Sequence, residues 1–245
     1  MGSGLLTSVQ NLPVAMEADF MIKKLQEVHL GETTVYITTT HVALFCVSLF
    51  IIILAVIANR VITKADPDAT PGVFQNIVEI VVEMLSNMVS GLMGTNAKRF
   101  VNYISSIFIF ILICNISGLF GLRPPTADYG VTLPLALFTF CIIHYCGIKK
   151  NKGKHFTNLF QPVPILFPIN LISEIATPLS LSVRLFGNIM SGTVLMGLVY
   201  GMFPLLLKLG IPAVMHVYFD IFSGCIQAYV FAMLTMVYVN DKIAD

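Results

Sequence analysis

The sequence predicts an all-α, polytopic membrane protein, and three observations carry that prediction. The first is composition: of 245 residues, 56% are hydrophobic and only 11% charged, where soluble domains run near roughly 45–50% and 25%. The mean hydropathy of +0.85 agrees. The second is the recurrence of apolar runs close to the roughly 17–25 residues that a spanning helix needs. The third is the punctuation between them, clusters of proline, glycine and basic residues that stop one helix and start another. About five membrane-crossing helices are expected in a single membrane domain over 1–245, with one interfacial amphipathic helix and a C-terminal hairpin of two long, steeply tilted helices. A net charge of +1 gives no sign of a nucleic-acid partner. Cys46, Cys114, Cys141, Cys146 and Cys225 lack any paired metal spacing and read as free thiols.

Residues 1–38 are polar enough to lie outside the bilayer, with Glu17, Asp19, Lys23, Lys24, Glu27 and Glu32 placed as on a short amphipathic helix or loop. Met1–Met16 show no basic n-region followed by a compact apolar run, so the first membrane helix, at 39–61, is expected to direct its own insertion. His41 at its leading edge reads as an interfacial histidine more readily than as a proton-path group. After the breaker Asp66–Gly72, residues 72–94 carry Gln75, Asn76, Glu79, Glu83, Ser86, Asn87 and Ser90. That is too polar for a lipid-facing span, so this helix is expected at the interface. Glu79 and Glu83 read as a solvated or partner-binding face rather than a paired-carboxylate site.

Residues 100–148 read as a helical hairpin turning at Arg123–Gly130, followed by a basic loop of Lys149, Lys150, Lys152 and Lys154. Such loops are retained in the cytoplasm. Placing them inside with Arg60, Lys64, Lys98, Arg99 and Lys242 leaves Lys23, Lys24, Arg123 and Lys208 outside, which predicts an external N-terminus and a cytoplasmic C-terminus. Residues 162–240 form the long hairpin. Its first helix can run to Leu207 with a bend at Pro178, roughly 60 Å or twice the hydrocarbon core, and its second from about Ala213 to Asn240.

The chemistry lies on that hairpin. Arg184 sits inside an apolar helix, where a permanent charge costs at least ~2.5 kcal/mol on the gentlest insertion scale. Ser180 and Thr177 lie one and two turns before it, and Asn188 and Ser191 one and two turns after, making a narrow polar stripe. Gly187, Gly192, Gly197 and Gly201 suit close approach of another helix. The competing reading is a structural ion pair with Glu174. On the last helix His216, Asp220, Ser223, Gly224 and Gln227 form a second polar stripe, this one with a carboxylate. A guanidinium cannot give up its proton, so Arg184 suits an electrostatic gate rather than a relay.

Pro178-Leu179-Ser180-Leu181 followed by Arg184-Leu185-Phe186-Gly187-Asn188 closely resembles the signature of subunit a of F-type ATP synthases. The likeness continues through Pro71-Gly72-Val73-Phe74-Gln75, Gln227 and Leu234–Tyr238, and covers most of the chain after about Thr70. The resemblance implies a non-catalytic stator subunit in the inner (plasma) membrane of a bacterium. Its implied partners are the rotating c-ring, the peripheral-stalk b subunits and the bilayer, with no cofactor, nucleotide or nucleic acid bound by this chain. It also implies two offset half-channels that carry protons to and from ring carboxylates, with Arg184 blocking direct leakage between them. By this resemblance Arg184 matches the essential arginine, Asn188 its neighbour, Gln227 the polar partner on the last helix and Glu174 an acid near the start of the arginine helix. Thr193 stands where many members have glutamate, and Asp220 where histidine is common, so the acid has changed helices.

The candidate ion-path residues are Arg184, Asn188, Gln227, Asp220, Glu174, His216, Ser180 and Ser191. A sodium-translocating version of the same subunit remains open, because the discriminating ligands would lie largely on the ring. A secondary transporter would show related halves, and none is found. A membrane enzyme would show a zinc spacing or nucleophile pair, and His144, His155 and His216 offer none.

Overall fold

The computed structural model describes residues 24–30, 33–64, 72–120, 122–151, 165, 167–202 and 210–243. Lys23, Lys152, Lys154 and Lys208, used above to read orientation, lie outside the described residues. A small antiparallel hairpin of β1 (Lys24–Leu30) and β2 (Thr33–Thr38) comes first, with Val28 opposite Val35 and an irregularity between Lys24 and Gln26. Over these two strands the expectation of an amphipathic helix or loop is corrected, while Glu17, Asp19 and Glu32, named with it, lie like Lys23 outside the described residues. The run Thr33-Thr34-Val35-Tyr36-Ile37-Thr38 is entirely β-branched or aromatic, and such side chains favour an extended pleated chain over a helix.

Helices follow. They are α1 (Thr39–Lys64), α2 (Val73–Met93), α3 (Ala97–Ile116), α4 (Tyr129–Asn151), α5 (Phe167–Met202), α6 (Ile211–His216) and α7 (Gly224–Ile243). Gly94 ends α2 at φ +52°, a left-handed conformation that a side chain would disfavour. Asp128 starts α4, its carboxylate accepting the Gly130 N–H at 2.9 Å. The described residues hold five stretches long and apolar enough to cross a membrane, the second of them, Val73–Phe120, containing both α2 and α3. The all-α membrane body is therefore as the sequence predicts.

α5 is one helix of 36 residues that continues through Pro178. At ~1.5 Å per residue it is about 54 Å long, more than the ~30 Å hydrocarbon core, so it must lean or protrude. The last helix differs from expectation. Val217–Ser223, between α6 and α7, is π-helical, so the regular run expected from Ala213 to Asn240 is interrupted.

Two clusters hold the bundle. Val89, Met93, Phe100, Ile104, Ile143, Met236 and Val239 join α2, α3, α4 and α7. Ile107, Ile111, Ala136, Leu181, Leu185, Ala228 and Phe231 join α3, α4, α5 and α7. α5 runs antiparallel to both neighbours, as paired contacts show. Tyr129 meets Phe186 with ring centroids 5.7 Å apart while His144 meets Glu174, and Gln227 meets Asn188 while Lys242 meets Glu174. Much of the remaining surface is apolar, with Phe45, Phe50, Ile52 and Val183 all exposed, as suits contact with lipid or other subunits. Phe231 is 1% exposed at the centre of the second cluster. Phe231→Ala should destabilise the bundle by about 3–5 kcal/mol, read as a lower thermal midpoint in detergent. Phe45→Ala, on the exposed face of α1, should stay within about 0.5 kcal/mol of wild type.

Candidate functional site

α5 buries Leu181, Ser182, Leu185 and Ile189 against its neighbours. This turns Ser180, Arg184 and Ser191 outward, and all three are exposed. The Ser191 hydroxyl donates to the Asn188 carbonyl at 2.9 Å, and Thr177 donates to the Ser173 carbonyl at 3.0 Å. Both hydroxyls are thus satisfied by their own helix. Arg184 has no hydrogen bond or ion pair among the described residues. Its guanidinium faces outward from the middle of α5, with exposed Leu179 and Val183 beside it.

Glu174 does not pair with Arg184, which removes the structural ion-pair reading. Its carboxylate accepts from Lys242 Nζ of α7 and lies 3.4 Å from His144 Nε2 of α4. The His144 ring packs on Phe140 with centroids 4.0 Å apart, and nearby Lys150 Nζ donates to the Ile243 carbonyl. Glu174 therefore ties three helices together at the end where α4 and α7 finish. Ten residues of helix, about 15 Å, separate it from Arg184.

At the opposite end lies a second titratable group. His216 Nδ1 and Asp220 Oδ2 are 2.7 Å apart, and the Tyr200 hydroxyl approaches His216 Nε2 at 3.5 Å. Asp220 packs against Gly118, where an added Cβ would lie 3.5 Å from its carboxyl carbon. Between the two ends Asn188 Nδ2 donates to Ser223 Oγ at 2.9 Å and reaches Gln227 Oε1 at 3.4 Å. Gln227 is 5% exposed, so this bridge closes the α5–α7 seam one turn from Arg184. Thr193 donates to the Ile189 carbonyl at 2.9 Å, and its neighbour Gly192 packs on Phe219, the residue before Asp220. The structure thus groups Asn188 with Ser223 and Gln227, His216 with Asp220, and sets Glu174 apart.

Three participants escape a reading by residue pattern. Tyr200 sits beyond the arginine stripe, and Lys242 reads as a positive-inside anchor until Glu174 is found beside it. Asn115 is the third. It is fully buried, donates from Nδ2 to the Gly224 carbonyl at 3.1 Å and accepts from the Thr126 hydroxyl at 2.8 Å. An asparagine in the middle of an apolar run was its only signal. Among the described residues no group of three or more His, Cys, Asp or Glu could hold a metal ion.

A family profile described as ATP synthase A chain matches residues 41–240. A protein of Propionigenium modestum described as "ATP synthase subunit a, sodium ion specific" is 36% identical over 226 residues, covering 85% of this chain and 75% of that one. "ATP synthase subunit a" of Moorella thermoacetica is 30% identical over 222 residues, covering 90% and 96%. The protein of the same description from Desulforamulus reducens is 38% identical over 185 residues, covering 73% and 71%.

The Glu174–Lys242 pair is partly buried, with side chains 20% and 24% exposed. Removing one member strands the other in a poor solvent. Lys242→Ala should therefore lower stability by about 1–3 kcal/mol, measured by thermal unfolding in detergent. The charge swap Glu174→Lys with Lys242→Glu should recover part of that loss.

Proposed function

The chain belongs to the ATP synthase A chain family, and from that premise we propose that it is the ion-conducting stator subunit of a rotary ATP synthase. The family makes it part of the ATP synthase complex, and its bacterial relatives and membrane-crossing helices make it a bacterial plasma-membrane protein. The observation that carries the reading is Arg184: a permanent cation, exposed at the middle of an apolar helix and unpaired among the described residues. Such a charge awaits a counter-charge that the described residues do not supply. The partner proposed is the rotating c-ring, each subunit of which brings one carboxyl group past α5; the peripheral-stalk b subunits and the bilayer cover other apolar faces.

The chemistry follows from solvation. A carboxylic acid in an apolar setting keeps its proton because the anion is poorly solvated, and a fixed cation reverses that preference. A ring carboxyl reaching Arg184 releases its proton, and one moving away takes up another. The guanidinium itself exchanges none, so it separates the two paths. Asp220 and His216 form the outer path with Asn188 and Gln227 leading inward. Ser191 borders that outer path, and Ser180 and Glu174 flank the inner one, where Lys242 pairs with Glu174. α2 lies along the cytoplasmic interface, a placement supported by its exposed Glu79 and Glu83 and by burial of only Leu85, Val89 and Met93. The subunit carries ions and performs no catalysis, binding neither cofactor nor nucleotide.

The coupling ion proposed is the proton. An imidazole hydrogen-bonded to a carboxylate can accept a proton on one nitrogen and release it from the other, a step that sodium cannot imitate. The sodium reading is kept by the Propionigenium relative, described as sodium ion specific. Synthesis driven by a pH gradient in sodium-free buffer decides between them, since a sodium-coupled complex would stay idle.

Arg184→Ala should abolish ion-driven ATP synthesis while ATP hydrolysis by the complex's catalytic sector persists, and Arg184→Lys should substitute poorly. Wild-type synthesis in the alanine variant would sink the proposal. Asp220→Asn keeps shape without proton exchange and should cut synthesis about 100-fold or more; Thr193→Glu added to it should restore part. Undiminished synthesis in Asp220→Asn would move the outer path elsewhere. Orientation is checked by labelling: cysteine at position 149 should react only from the cytoplasm and cysteine at position 128 only from outside.

A further inference from the structure

The last helix changes geometry where the His216–Asp220 pair sits. Val217–Ser223 is π-helical, a form rare in helices and found mostly as single-turn bulges, frequently at functional sites. Left alone, such a turn would relax to α-helix, so contacts from outside must hold it. Two glycines let those contacts come close, Gly192 in α5 and Gly224 in α7, and Gly118, just past α3, meets the turn at ordinary contact distance. An added Cβ would lie 3.5 Å from the Asp220 carboxyl at Gly118, 3.3 Å from the Phe219 ring at Gly192 and 3.0 Å from Asn115 Cβ at Gly224.

Only the last contact is also polar. Asn115 donates to the Gly224 carbonyl, the first residue after the π turn, and Thr126 donates to Asn115. Asn115 and Thr126 are both 0% exposed. A carbonyl can only accept, so Gly224 selects the amide nitrogen and leaves the amide oxygen to the Thr126 hydroxyl. The side chain has one orientation that satisfies both neighbours.

We propose that Asn115, backed by Thr126, is a positioning residue of the ion path: it pins the junction of the π turn and α7 and so sets the rotation of Asp220 relative to Gln227. The inference rests on the reading of Asp220 as the outer-side acid. Helical phase supplies the reason. One residue gained or lost in a turn rotates everything beyond it by about 100°. His216 and Asp220 lie on one side of the junction and Gln227 on the other. Relaxation of the π turn would therefore swing the acid out of line with the Asn188–Gln227 bridge, although every residue that exchanges or attracts an ion would still be present.

The test uses membranes carrying the whole complex. Asn115→Ala should lower ion-driven ATP synthesis by about five- to tenfold, the effect of deleting a buried amide contact. It should also shift the outer pH at which synthesis is half-maximal. Thr126→Val, which keeps shape and removes only the hydroxyl, should shift that pH in the same direction by less. Asp220→Glu keeps an acid with altered reach, and leaves activity to measure. Combined with Asn115→Ala it should lose less than the product of the two single losses, because the two changes act on one element. Multiplicative losses, or an unmoved pH profile, overturn the proposal and leave Asn115 a packing residue. If Asn115→Ala does not assemble, Thr126→Val decides alone: an unmoved pH profile overturns the proposal. Normal synthesis in Asp220→Asn is a different result, and removes the outer-acid reading itself.

Discussion

A guanidinium that cannot lose its proton, placed halfway along an apolar helix, is the constraint around which this chain is arranged. Its cost inside a bilayer is at least ~2.5 kcal/mol, and no carboxylate among the described residues offsets it. Glu174, the acid of α5, is paired with Lys242 instead, with His144 Nε2 3.4 Å away. That diversion keeps the arginine's field available. Had Glu174 reached it, the charge would be spent within the chain, and nothing passing α5 would sense it.

The antiparallel packing of α5 against α4 and α7 then divides the polar groups by height. The register that brings Gln227 to Asn188 also brings Lys242 to Glu174. One titratable cluster consequently falls at each end of α5, with the arginine between them. Burial of Leu181 and Leu185 under Phe231 and Ala228 sets the rotation of α5 and points Arg184 outward. The same contacts that hold the bundle thus turn the charge outward.

Close approach is built from glycine. Gly192 and Gly224 each face a side chain of another element at a distance that leaves little room for a Cβ, and Gly118 meets Asp220 at ordinary contact distance. Together they seat the π turn that carries Asp220. Interhelical packing in membranes depends on such small residues because lipid provides no hydrophobic drive between helices. Here Gly224 also brings a buried amide to a backbone carbonyl, which a side chain at 224 would crowd.

The sequence by itself determined the membrane class, the helical body, the length of α5 and both polar stripes, since each is a property of one segment's composition and period. Arg184 was legible for the same reason: a lone charge in an apolar helix is conspicuous without any partner. Only the tertiary structure decided that Glu174 belongs to Lys242, that Asn188 bridges to Ser223 and Gln227, and that Asn115 reaches Gly224 across more than a hundred residues of chain. Periodicity reports which side chains share a face; it is silent on which neighbour that face meets and at what height. The π turn was hidden for a related reason. Its residues look helical one by one, and the extra residue in the turn is held there by contacts that exist only once α3, α5 and α7 have packed.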